Sequence, residues 1–126
     1  MTTEIETKKA TLSAADLANF TGSENWYRHW LGKSLYTDGV KYVADNAGAY
    51  WLVDEIAINQ TRPNVRAEEF QCWTLSVDLE KHKAVLTCDD GNGNVVFTKR
   101  IEYTDFPLPE IKLYCTDGTL LLAGEC

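Results

Sequence analysis

His29 and His82 are the two histidines of the chain, and only His29 has neighbours that suggest chemistry. It stands between Arg28 and Trp30, and Asp38, Asp54 and Glu55 supply carboxylates further along. An imidazole oriented by a carboxylate serves as a general base near neutral pH. A guanidinium beside it holds an anionic substrate group by paired, charge-assisted hydrogen bonds. If the chain is an enzyme or a small-ligand domain, Arg28 is the anchor, His29 moves the proton, and Asp38 or Asp54 orients the ring. Acyl transfer also needs a nucleophile, and no Gly-x-Ser-x-Gly elbow occurs. The plainer reading is a histidine hydrogen-bonded among aromatic residues, so no catalytic residue is assigned. His82 sits between Lys81 and Lys83, where a solvated turn explains it.

Two further segments imitate ligand loops. Asp90-Gly91-Asn92-Gly93-Asn94 begins like a calcium loop, but Val95 and Ile101 stand where that loop needs its glycine and its bidentate glutamate. The run is instead a hairpin turn, because Asp-Gly and Asn-Gly accept positive φ. Gly32-Lys33-Ser34 imitates the end of a phosphate loop, but Tyr27 occupies the position of its first glycine. Cys72, Cys88, Cys115 and Cys126 include no Cys-x-x-Cys pair. They are read as free thiols of a reducing compartment, with Cys88 and Cys115 behaving as small apolar strand residues. No metal and no cofactor is expected.

Charge points outward instead. Lys and Arg number 12 against 19 Asp and Glu, and the excess is uneven. Residues 1–66 hold 7 basic and 8 acidic residues, whereas residues 67–126 hold 5 and 11. Direct binding to nucleic acid or to an anionic membrane needs the opposite balance. An acidic face suits solubility, or the docking of a basic protein partner. Seven of the fourteen aromatics fall between Trp26 and Trp51. Most should pack the core, while Trp26 and Tyr27, flanked by Asn25 and Arg28, are the pair expected at a binding surface. With Asp89 and Asp90 from the acidic half, they form the expected binding set.

These side chains need a scaffold. Residues 1–12 read as a flexible polar arm and 13–126 as one domain. Ser13 caps a short helix carrying Ala14, Ala15, Leu17, Ala18 and Phe20, and Thr21-Gly22-Ser23 breaks it. Trp26 to Leu31 reads as a short extended segment or edge strand. Thr37-Asp38-Gly39 starts a second helix that Gly48 ends. A third helix, Ala49 to Gln60, is apolar on nearly all sides and should be the buried one. From Glu69 the apolar period changes to two. Strands follow through Trp73–Leu79, Ala84–Asp89, Val95–Tyr103, Ile111–Cys115 and Thr119–Leu122, with turns at Lys81-His82-Lys83 and Thr116-Asp117-Gly118. The expected fold is α+β, with N-terminal helices packed on a four- or five-stranded antiparallel sheet.

Several strings carry a resemblance. They are Thr21-Gly22-Ser23-Glu24-Asn25-Trp26-Tyr27-Arg28-His29-Trp30, Leu35-Tyr36-Thr37-Asp38-Gly39-Val40-Lys41-Tyr42, Ala47-Gly48-Ala49-Tyr50-Trp51-Leu52, Cys88-Asp89-Asp90-Gly91-Asn92-Gly93-Asn94-Val95-Val96 and Tyr103-Thr104-Asp105-Phe106-Pro107-Leu108. Together, from about Leu17 to Leu122, they resemble an uncharacterised family of small bacterial proteins often carried on plasmids, phages and other mobile elements. That family has no activity to transfer. The resemblance implies a cytoplasmic accessory or anti-defence factor. The chain is therefore expected to be a small acidic non-enzymatic protein that binds a host or phage protein, in the sharpest form an inhibitor of a nucleic-acid-targeting defence system. The alternative is the small enzyme or ligand-binding domain built on Arg28 and His29. A homodimer formed through a sheet edge or an aromatic patch is a third possibility.

Overall fold

The computed structural model describes residues 12–18, 25–29 and 34–125. A single-turn helix, α1 (Ala14–Leu17), precedes two short strands, β1 (Trp26–Arg28) and β2 (Leu35–Thr37). Two ten-residue helices follow, α2 (Asp38–Ala47) and α3 (Tyr50–Asn59), and then the single turn α4 (Pro63–Arg66). Five strands complete the chain: β3 (Phe70–Asp78), β4 (Lys83–Asp89), β5 (Val95–Ile101), β6 (Glu110–Thr116) and β7 (Thr119–Leu122), closed by a 3-10 turn, Ala123–Glu125.

The strands form one seven-stranded sheet in the order β1-β2-β7-β6-β3-β4-β5. Every neighbouring pair is antiparallel except β2 and β7, which run parallel with Leu35 opposite Thr119 and Tyr36 opposite Leu120. The expectation of N-terminal helices on a four- or five-stranded antiparallel sheet is overturned: the sheet is larger, it is mixed, and two of its strands belong to the N-terminal third. The physical reason is length. Three residues are too few for a visible period of two. The β2–β7 pairing joins segments far apart in sequence, and a parallel pair needs a long crossover rather than a turn. Here α2, α3, α4 and four further strands lie inside that crossover.

The five expected C-terminal strands and their turns are present, but they do not run as one antiparallel meander: β3, β4 and β5 are consecutive neighbours, whereas β6 returns to pair with the other edge of β3. The residue pattern explains the helices as well. The Thr37 hydroxyl accepts from the Val40 amide and caps α2, and Gly48, at φ 61°, closes it in the left-handed conformation. The α3 helix buries Leu52, Val53, Ile56, Ala57 and Asn59 but leaves Tyr50 and Ile58 exposed, so it lies on the sheet rather than inside the core. Pro63 begins α4 at a position where its missing amide costs nothing.

Opposed strand residues share a face. Trp73, Leu75, Leu86, Cys88, Ile111, Leu113, Cys115, Leu120 and Leu122 line one face and pack with Val40, Val43, Leu52, Val53 and Ile56 of the helices. Leu12 and Phe106 complete this core. Among the described residues no helix covers the other face, where Thr74, Thr87 and Thr98 align across β3, β4 and β5. Cys72, Cys88 and Cys115 are buried free thiols. Of the expected arm (residues 1–12), Leu12 is described and buried in the core, while residues 1–11, Phe20, the break at 21–23, Trp30, Leu31, Gly32, Lys33 and Cys126 lie outside the described residues.

Candidate functional site

The structure brings two of the four proposed catalytic side chains together. His29 leaves the end of β1, and its backbone amide donates to the Ser34 carbonyl at 2.7 Å. That contact turns the chain toward β2 and aims the imidazole at α3, where Nε2 and Oδ1 of Asp54 stand 2.6 Å apart. His29 is 3% exposed, so the ring is sealed against substrate. A buried imidazole bonded to a helix carboxylate locks β1 to α3 and satisfies its own polarity.

Arg28 and Asp38 stand elsewhere. Tyr27 pairs with Tyr36 and stacks on it at 5.7 Å on the helix-covered face, so the neighbouring Arg28 and Trp26 belong to the opposite face. Asp38 accepts from the Tyr27 hydroxyl at 2.9 Å and from Asn25. This hydrogen bond holds the Tyr27 phenol above its ordinary range. Glu55 pairs with Lys99 on β5 and accepts from the buried Asn59 amide.

The expected binding residues divide in the same way. Trp26 is 57% exposed on an edge strand, whereas Tyr27 is half-buried between Tyr36, Asp38 and the Lys41 ammonium. Asp89 and Asp90 build the hairpin turn. Asp89 accepts from the Gly91 amide, and Asp90 accepts from the Asn94 side chain and the Asn92 and Asn94 amides. The Asn94 amide and the Asn92 backbone hold the Asp90 carboxyl below its usual range.

Topology organises the acidic half. Because connections in an antiparallel sheet alternate between its ends, the acidic residues of 67–126 collect at two poles. Glu68, Glu69, Asp89, Asp90 and Asp117 lie where β3 begins, and Asp78, Glu80, Glu102, Asp105, Glu110 and Glu125 lie where it ends. At the first pole a depression of about 490 Å³ opens between the end of α3, the α4–β3 connection and the β6–β7 turn. Its wall is rigid. Gln60 and Gln71 exchange side-chain hydrogen bonds at 2.8 and 3.0 Å, and Gln71 also accepts from the Trp73 indole and donates to the Val65 and Glu68 carbonyls.

Residues 11–126 match a family described as a family of unknown function, DUF6876. The chain belongs to it. No curated protein and no solved structure matches the chain.

The family carries no assigned chemistry, so the site rests on this geometry alone. Among the described residues no group of three or more His, Cys, Asp or Glu side chains is placed to hold a metal ion. No helix among them is long and apolar enough to cross a membrane. Ser34, Glu68, Glu69 and Asp117 were not foreseen as a group. They come from three different connections, β1–β2, α4–β3 and β6–β7, and only the sheet order gathers them at one end.

Proposed function

We propose that this protein is a small acidic, non-enzymatic binding factor that docks on a basic protein. The observation that carries the reading is the collection of the acidic half at the two ends of the sheet. Concentrated charge of one sign accelerates and orients association with a surface of opposite sign. Affinity needs desolvated anchors as well, and Trp26 on the helix-free face has the exposure and residue type of an interface anchor. In its sharper form the partner is a host nucleic-acid-targeting defence protein, whose basic groove the acidic poles would occupy. The resemblance to proteins of mobile elements supports that setting. The enzymatic alternative draws on the contact between His29 and Asp54, with Arg28 on the opposite face of the sheet.

Affinity capture with the tagged protein from its host at low and high salt, followed by reconstitution with the purified partner, tests the reading. Salt-sensitive binding of a basic protein, weakened at least tenfold by Trp26→Ala, is expected. Absence of any complex at low salt overturns it.

A further inference from the structure

We propose that the depression at the β3-start pole is the specific contact of this binding factor, and that it receives an arginine side chain of the basic partner. The inference rests on the protein-binding reading and adds the chemistry of the contact.

Three observations point to a ligand. First, the carboxylates of Glu68, Glu69 and Asp117 line the depression and have no hydrogen-bond or ion-pair partner among the described residues. Arg66 stands at the same depression and pairs with none of them. Among the described residues lining the depression the balance is three negative charges to one positive. Second, Ser34 lines the same depression, is 9% exposed, and its hydroxyl has no hydrogen-bond partner among the described residues. No enclosed polar side-chain atom of the described residues lacks a partner, so the Ser34 oxygen keeps accessible surface, and the depression is the cavity this residue lines. A nearly buried hydroxyl facing a cavity without a partner is a site for a polar ligand. Third, the Gln71 and Cys115 side chains of the wall are not free to take a charged ligand. The Gln71 amide is saturated by protein groups. Burial pushes the Cys115 thiol up to about 11, so it is neutral at physiological pH.

The shape of the demand selects the ligand. The acceptors are three carboxylates and a hydroxyl spread across a depression of about 490 Å³. They are not placed to hold a metal ion. An ammonium is a compact point charge, whereas a guanidinium is a planar fork with five donors that can meet several separated acceptors at once. Its aliphatic stem also tolerates a partly apolar wall. An arginine on a nucleic-acid-binding surface has this form.

Titrating the isotope-labelled full-length protein with a capped five-residue peptide, Gly-Gly-Arg-Gly-Gly, tests the assignment by NMR. The expected result is shifts of the Ser34 and Gly118 amides that saturate with the peptide and weaken with salt. The same peptide with citrulline, which keeps the shape and removes the charge, should bind at least tenfold more weakly. Glu68→Gln/Asp117→Asn should bind the arginine peptide at least tenfold more weakly, with an otherwise unchanged spectrum. The citrulline comparison uses the unaltered protein, so the test survives a variant that misfolds. Equal binding of both peptides, or no shift at Ser34 and Gly118, overturns the inference. Free arginine binding more tightly than the capped peptide would assign the site to a small molecule and overturns it also. If the double variant captures the partner as well as the unaltered protein does, the pocket inference falls while the binding reading stands. If no partner is captured at all, the binding reading falls.

Discussion

The Thr37 hydroxyl donates to Oε1 of Glu125 at 2.6 Å, joining residues 88 positions apart in sequence. The same carboxylate accepts from the Leu122 amide at 2.9 Å and, through Oε2, from the Gly39 amide at 3.1 Å. Glu125 therefore sits on the N-terminus of α2, where free amides and the helix dipole favour a negative charge. It clamps the C-terminal turn onto the point where β2 becomes α2, beside the parallel β2–β7 pair. The clamp gives the mixed sheet a tie that sequence patterning did not announce.

Gly39→Ala should open this clamp. A Cβ at position 39 would stand 2.6 Å from Oε1 of Glu125 and 2.7 Å from Cδ1 of Leu122, closer than carbon atoms tolerate. Overpacking of this kind costs about 1–3 kcal/mol. Removing the carboxylate by Glu125→Ala should also destabilise, by about 1–3 kcal/mol, because the hydroxyl and amides it satisfies lose their acceptor. The two losses should not add, since the first acts partly through the second. Urea unfolding of both single variants and the double variant measures this, and fully additive losses would contradict it.

Asp54→Ala should destabilise by about 1–3 kcal/mol, because it leaves the buried imidazole of His29 without this acceptor. Asp54→Asn, which keeps an acceptor oxygen, should recover part of the loss. Partner capture per folded molecule should be the same for Asp54→Asn as for the unaltered protein, because the pair ties β1 to α3 inside the structure. Thermal unfolding and quantitative capture read the two effects separately. Loss of capture in a fully folded variant would return His29 to the functional surface.

A second group of charges makes stability depend on pH. Hydrogen bonds from Lys41 and then Tyr50 hold the Asp45 carboxyl below its ordinary range. The bond to Asp45 pushes the Tyr50 phenol up to about 12. A carboxyl whose pKa is lower in the folded state stabilises above its unfolded pKa and loses that contribution as the pH falls through the folded value. A phenol whose pKa is raised stabilises below about pH 10 and loses that contribution as the pH rises toward 12. The stability difference between the unaltered protein and Asp45→Asn should therefore be present at pH 7, shrink below the ordinary carboxylate range, and shrink again in strong alkali. Urea midpoints across the pH range measure it, and a constant difference would contradict the assignment.

How much of this was legible follows from the range of each interaction. Thr37, Gly48 and the Asp90–Asn94 turn announce themselves because capping and hairpin chemistry are local, and each is where the sequence places it. The strands from Phe70 to Leu122 were legible because seven or more residues of alternation, or a strong turn, fix them. The strand at Trp26–Arg28 falls within the extended segment or edge strand expected from Trp26 to Leu31 and pairs with the nearby Leu35–Thr37, but Leu35–Thr37 itself is governed by a partner distant in sequence, and its parallel pairing of Leu35 with Thr119 has no local signature. The site follows the same rule. The contact of His29 with an acid was anticipated in kind, with Asp54 among the candidates. Ser34, Glu68, Glu69 and Asp117 share a depression only because the sheet order places their connections at one end.

The cysteines should report this packing by their silence. Burial pushes the Cys88 thiol up to about 12 and the Cys115 thiol up to about 11, and it raises Cys72 as well. The thiolate is the reactive form, so at pH 8 only a minute fraction of each buried thiol is poised to react, and the core screens that fraction from reagent. Brief iodoacetamide treatment of the native protein at pH 8 should leave the peptides containing Cys72, Cys88 and Cys115 unmodified, while treatment in urea should label all three. Cys115 also lines the depression assigned to the arginine, on the side farther from bulk water. A core-destabilising change such as Leu86→Ala, which costs about 2–5 kcal/mol at a fully buried site, should raise labelling of all three thiols together. Selective labelling of Cys115 in the native protein would mean instead that the floor of the depression opens locally despite the hydrogen bonds between Gln60 and Gln71.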